Sequence, residues 1–167
     1  LMVPGIVGGG MTQINLLVGT IIASFISGAV TVLYFADRIY QFPLGMIGIA
    51  IGTALLPELS RKIHSEPQAA MAVQNRAVEL AMLLTLPAAA ALIAVAEPIT
   101  VVMFQYGKFT PQDAHDTAVA LAAFSAGLPA YVLIRVFAPG FYAREDTRSP
   151  VVYAVVSMTP NIVLSVA

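Results

Sequence analysis

The chain has 167 residues with 59% hydrophobic and 10% charged side chains, a net charge of −1, no cysteine and a mean hydropathy of +0.86. A soluble domain carries about a quarter charged residues, so there is too little polar surface here to cover a globule, and lipid is the expected solvent. The charge leaves no basic field for a nucleic-acid partner, and the lack of cysteine removes disulfides and thiolate metal sites.

Five apolar blocks follow one another, each near or above the ~20 residues that a spanning helix needs. The predicted helices cover about 6–25, 29–57, 66–104, 111–138 and 150–167. Ser27-Gly28 supplies the turn between the first two. Thr110-Pro111-Gln112-Asp113 reads as a helix start with Thr at N-cap, Pro at N1 and an acid at N3, and Ser149-Pro150 repeats the cap and the proline. Ser65 before Glu66-Pro67 starts the third helix in solvent, and Pro139-Gly140 is the expected end of the fourth. Leu1-Met2-Val3-Pro4 lacks the basic stretch of a signal peptide, and both ends lie within apolar sequence. The chain therefore reads as a piece of a longer polytopic protein, a single incomplete transmembrane domain over 1–167 and all-α in class.

Orientation follows from the basic residues. Arg61, Lys62, Arg76, Arg144 and Arg148 lie in or beside the 58–79 and 144–149 loops, against Arg38 and Lys108 on the other side. That bias places the two loops in the cytoplasm. Asp37-Arg38 then lies toward the outer half of the second helix.

Asp37-Arg38 is the unusual feature. No residue from 1 to 36 is charged, nor is any from 39 to 57, a stretch of roughly 28 Å as a helix. A charge at mid-bilayer costs about 2.5–3.5 kcal/mol on insertion scales, which a partner, a cavity or a ligand must offset. On a wheel of about 100° per residue, Gln41, Gly45, Gly48 and Gly52 form one stripe flanked by Asp37 and Arg38. Phe42, Met46, Ile47 and Ile51 occupy the opposite face. Gly48 and Gly52 make a GxxxG pattern that admits a close helix neighbour. Two readings stand side by side: a cavity-facing helix presenting Arg38 to an anion with Asp37 and Gln41 beside it, or an interfacial pair that snorkels to headgroups with Tyr34 and Tyr40 as belt aromatics.

Arg135 follows eighteen uncharged residues and precedes Pro139 by four; it either faces the cavity as a second phosphate contact or snorkels to the inner interface. Pro87, Pro129 and Pro160 sit inside spans, where a freed carbonyl permits a hinge. Asp113, His115 and Asp116 lie in a first turn, where acids suit the helix dipole better than a metal. No nucleophile–base spacing occurs in a span, so no enzyme, metal or cofactor is expected.

Tyr34-Phe-Ala-Asp-Arg-Ile-Tyr-Gln-Phe-Pro-Leu-Gly45, together with Gln13–Ser24, Gly48–Pro57, Glu97–Ile99, Phe104–Thr110, Ala138–Arg144 and Asp146–Pro150, closely resembles the MurJ/MviN family. These are bacterial lipid II flippases of the multidrug/oligosaccharidyl-lipid/polysaccharide exporter superfamily. The resemblance implies a two-lobed helix bundle in the bacterial cytoplasmic (inner) membrane. It also implies that this chain is the start of the second lobe, with the first lobe as its missing partner. The implied function is alternating-access translocation of undecaprenyl-pyrophosphate-linked disaccharide-pentapeptide among membrane lipids, with Arg38 matching a cavity arginine. An exporter of another lipid-linked glycan, or a non-transporting scaffold for cell-wall synthesis, are the alternatives.

Overall fold

The computed structural model describes residues 17–26, 28–62, 66–144, 146, 149–154 and 156–157. The predicted first helix is seen as α1 over 17–24, and the predicted last one as α7, which is helical over 149–154. Pro160 and most of these two predicted helices fall outside the described residues. Between them lie α2 (Ala29–Pro43), a π-helical stretch (Leu44–Ile49), α3 (Ala50–Lys62), α4 (Pro67–Ala94), α5 (Ala96–Phe104) and α6 (Pro111–Ala143). Among the described residues three stretches, Ala29–Leu59, Gln68–Ala94 and Pro111–Phe141, are long and apolar enough to cross a membrane.

Local chemistry explains the helix starts. Gly28 takes φ +82 before α2, a left-handed conformation that costs glycine little. At α6 the Asp113 carboxylate accepts from the Thr110 N–H at 2.8 Å and from its hydroxyl at 2.7 Å, while Thr110 Oγ1 accepts from the Asp113 N–H at 3.2 Å. Thr110 and Asp113 thus satisfy donors reciprocally around Pro111. At α7 the roles differ from expectation, since Ser149 donates through its N–H and hydroxyl to the Asp146 carboxylate at 3.0 and 2.6 Å.

Two boundaries also differ. The predicted 66–104 helix is two helices, with Val95 at φ −106, ψ 13 between them. Pro98 lacks an N–H and its ring crowds the carbonyl four residues back, so the chain turns there and Pro98 is left in the first turn of α5, where no donor is required. Pro139-Gly140 does not end α6, which continues to Ala143. The Gln74 side chain of α4 donates to the Val136 carbonyl at 2.9 Å. A Cβ on Gly140 would come within 3.2 Å of Gln74 Oε1, so the glycine makes room for that contact. Helices α4 and α6 likewise run unbroken through Pro87 and Pro129.

α6 is the central element and packs against α2, α3, α4 and α5. Its inner face carries Ala114, Ala118, Leu121, Ser125, Leu128, Val132 and Val136, spaced by three or four residues and all buried. The facing surfaces are rich in alanine: Ala36 on α2, and Ala70, Ala77, Ala81 and Ala89 on α4. In lipid the hydrophobic effect does not drive helices together, so small residues that permit close approach, and hydrogen bonds between helices, do so instead. Thr100 of α5 supplies one, its buried hydroxyl lying 3.1 Å from the Ala114 carbonyl.

Thr85 is also fully buried, yet its hydroxyl has no partner among the described residues. The two threonines should therefore respond oppositely to removal of the hydroxyl. Thr100→Val is expected to lower stability by about 1 kcal/mol, and Thr85→Val to leave it unchanged or raise it. Thermal unfolding of the full-length protein in detergent reads both.

Candidate functional site

α2 and α6 lie side by side and run in the same direction. Phe35 meets Phe104 and Phe109 at the start of α6, Tyr40 meets Phe124 and Tyr131 further along, and Gly48 meets Arg135 further still. Between the two helices is a cavity of about 690 Å³, within the size range of small-molecule sites. Asp37, Tyr40 and Gln41 line it from α2, Leu44, Gly45 and Ile49 from the π-helical stretch, and Ala123, Phe124, Gly127, Tyr131 and Arg135 from α6.

The lining has distinct ends. At one end Gln41 donates through Nε2 to Asp37 Oδ2, a pairing one helical turn apart that leaves the second carboxylate oxygen, the amide oxygen and one amide N–H for other partners. In the middle are three rings, with Tyr40 packed 5.8 Å from Phe124 and 6.2 Å from Tyr131 between centroids. At the other end Arg135 lays its stem across Gly48, where a Cβ would stand 3.3 Å from Arg135 Cγ. From the level of Asp37 to that of Gly48 is roughly 16 Å along the helix.

Arg38 is not part of this lining. Its Nη2 donates to the Tyr34 hydroxyl at 2.6 Å and its guanidinium sits 4.8 Å from the centre of that ring. The contact combines a hydrogen bond with a cation–π attraction. Spacing of four residues was the available signal, and it takes the arginine toward the start of α2, away from Gln41.

The glycine stripe divides in a similar way. Gly48 is a packing position, covered by Arg135, whereas a Cβ on Gly45 would meet nothing within 4 Å and that residue lines the cavity instead. Gly52 lies in α3, and its surroundings fall outside the described residues. The expected wheel also fails past Pro43. The proline ring would crowd the carbonyl of Ile39, and the wider π turns accommodate it. One extra residue per turn sets the later phase back by about 100°. Phe42 and Met46 stay 71% and 62% exposed, but Ile47 and Ile51, placed on the same outer face by the wheel, are partly buried against the core.

Tyr40, expected as a belt aromatic, is instead buried and lines the cavity. Phe124 and Tyr131 were not singled out from sequence; the signal that reaches them is the repeat 124, 127, 131, 135 on one face of α6. The first-turn cluster is otherwise engaged: Asp113 caps α6, Asp116 accepts from Gln112 at 2.8 Å, and His115 Nδ1 lies 3.7 Å from Glu97 Oε1.

Comparison with known proteins agrees with this architecture. The family model described as Lipid II flippase MurJ matches residues 1–167. A probable lipid II flippase MurJ of Rhizobium meliloti (strain 1021) is 50% identical over 166 residues, covering 99% of this chain and 31% of the relative. One from Vibrio cholerae serotype O1 is 41% identical over 167 residues, covering 99% and 32%. A solved structure titled Lipid II flippase MurJ, inward closed conformation, superposes with a TM-score of 0.84 at 26% identity, covering 93% of this chain and 33% of that one. The chain thus spans about a third of the length of these relatives.

Gly45 and Gly48 should tolerate bulk differently. Gly48→Leu is expected to displace Arg135 and lower both stability and activity of the full-length protein. Gly45→Ala should be silent or stabilising by about 0.5–1 kcal/mol. Melting curves and growth complementation measure the contrast.

Proposed function

The chain belongs to the lipid II flippase MurJ family, and from that premise we propose that it forms part of the second lobe of a flippase for the undecaprenyl-pyrophosphate-linked peptidoglycan precursor. The protein works as a transporter rather than an enzyme, in the bacterial cytoplasmic membrane. The rest of its length, including a first lobe, supplies the opposing wall. The observation that carries the reading is the cavity between α2 and α6, with Arg135 at one end and Asp37–Gln41 at the other. An arginine within a membrane span that lines a cavity is by default a functional group.

A pyrophosphate is a fitting use. A guanidinium presents parallel N–H donors to two phosphate oxygens and keeps its charge at any physiological pH. With the 58–79 and 144–149 loops in the cytoplasm, Arg135 stands at the inner end of the cavity, and Arg38 lies outside its lining, toward the outer side of the membrane. The headgroup then passes from the inner guanidinium to the outer one as the lobes alternate. Arg38, whose Nη2 donates to the Tyr34 hydroxyl, supplies the guanidinium for that second step. Pro87 and Pro129 lie in helices that must bend if the cavity is to change its opening, and freed carbonyls at those positions lower the resistance to bending.

The test is complementation of a strain depleted of its native flippase by the full-length protein. Arg135→Gln and Arg38→Ala are each expected to fail, because a lost charge-assisted contact is worth about 1.5–3 kcal/mol. Lysine at either position should rescue only partly, having a point charge in place of a fork. Normal growth with both arginines removed would overturn the reading. Preferential binding of a different polyprenyl-pyrophosphate glycan over lipid II would reassign the substrate within the exporter class.

A further inference from the structure

The cavity has two ends of unlike chemistry, and a pyrophosphate can satisfy only one of them. Arg135 attracts an anion. The Asp37 carboxylate, at the far end, repels one. Whatever part of a ligand reaches Asp37 and Gln41 must therefore bring donors to a carboxylate and groups that exchange hydrogen bonds with an amide. Between the two ends the ligand must lie against Tyr40, Phe124 and Tyr131.

Resting on the flippase reading, we infer that the stretch from Tyr131 to the Asp37–Gln41 pair is a carbohydrate subsite, taking a pyranose ring of the headgroup while Arg135 holds its phosphates. A pyranose has a face of weakly positive C–H groups and a rim of hydroxyls. An aromatic face is negative and attracts such C–H groups. The rim hydroxyls can donate to the free Asp37 oxygen and exchange hydrogen bonds with the Gln41 amide. The geometry suits this division. Tyr131 is half exposed, so its ring is available to a ligand, while Tyr40 is buried and packs edge-on to it at 6.2 Å as a support. The gap of roughly 16 Å along α2 and the π-helical stretch, between the levels of Asp37 and Gly48, accommodates a phosphate group followed by sugar rings. The pairing of Gln41 with Asp37 matters as well, since it fixes both groups on the cavity side before a ligand arrives.

The experiment measures equilibrium binding to the purified full-length protein in detergent. Three probes are used: undecaprenyl pyrophosphate, its disaccharide-bearing form without peptide, and the complete disaccharide-pentapeptide lipid. Tyr131→Leu and Gln41→Leu are each expected to raise the Kd of both sugar-bearing lipids about tenfold and to leave undecaprenyl pyrophosphate within about twofold. Tyr131→Phe, which keeps the ring, should retain most of the affinity. Arg135→Gln should weaken all three probes alike. Equal loss for all three in Tyr131→Leu and Gln41→Leu, no loss for any, or loss confined to the peptide-bearing lipid would overturn the carbohydrate assignment while leaving the flippase reading in place. If the unaltered protein binds none of the probes, or Arg135→Gln changes nothing, the flippase reading fails and the subsite falls with it.

Discussion

Everything in this fold depends on the inner face of α6. A helix in lipid gains little from hiding apolar side chains, because the solvent is as apolar as they are. What it can gain is dense contact, and close approach requires small residues. The run from Ala114 to Val136 presents alanine, serine, valine and leucine to alanine-rich faces on α2 and α4. Hydrogen bonds from Thr100 and Gln74 to main-chain carbonyls of α6 tie α5 and α4 to it near its two ends. The exposed leucines and isoleucines of the same helices, such as Leu83, Leu86 and Ile134, face outward, where lipid accepts them at no cost.

The cavity is a consequence of that packing. α2 and α6 meet through Tyr40, Phe124 and Tyr131, and Gly45 and Gly127 stand in the cavity wall. The π-helical stretch after Pro43 then turns α3 so that Ile47 and Ile51 pack inward. Gly48 lies beneath Arg135. A glycine at that level lets a long charged side chain lie flat against a neighbouring helix and reach the cavity from the side.

Asp37 and Gln41 were legible because residues four apart share a face of any helix, and their pairing in the cavity lining needs no long-range information. Arg38 was legible as an unusual charge but not in its direction. Asp37 stands next to it, yet Asp37 bonds to Gln41, and the arginine turns back by four residues to Tyr34. Glycines attracted attention as packing residues, whereas much of the close packing is done by alanines, which are so common in apolar sequence that spacing alone does not mark them. Family motifs spread over the whole chain carried the functional class further than any single residue.

Composition and spacing by themselves determined that the solvent is lipid, that the elements are helices, where α2 and α6 begin, and that a charged pair sits where charge is expensive. These are properties of a segment and its own side chains. Only the tertiary structure decided which residues meet. The π turns after Pro43 change the phase of all that follows, and α6 chooses its neighbours by shape. The aromatic wall and the arginine over Gly48 arise from those two facts. A wheel drawn on an isolated helix contains neither the added residue in the turn nor the surface of the helix beside it.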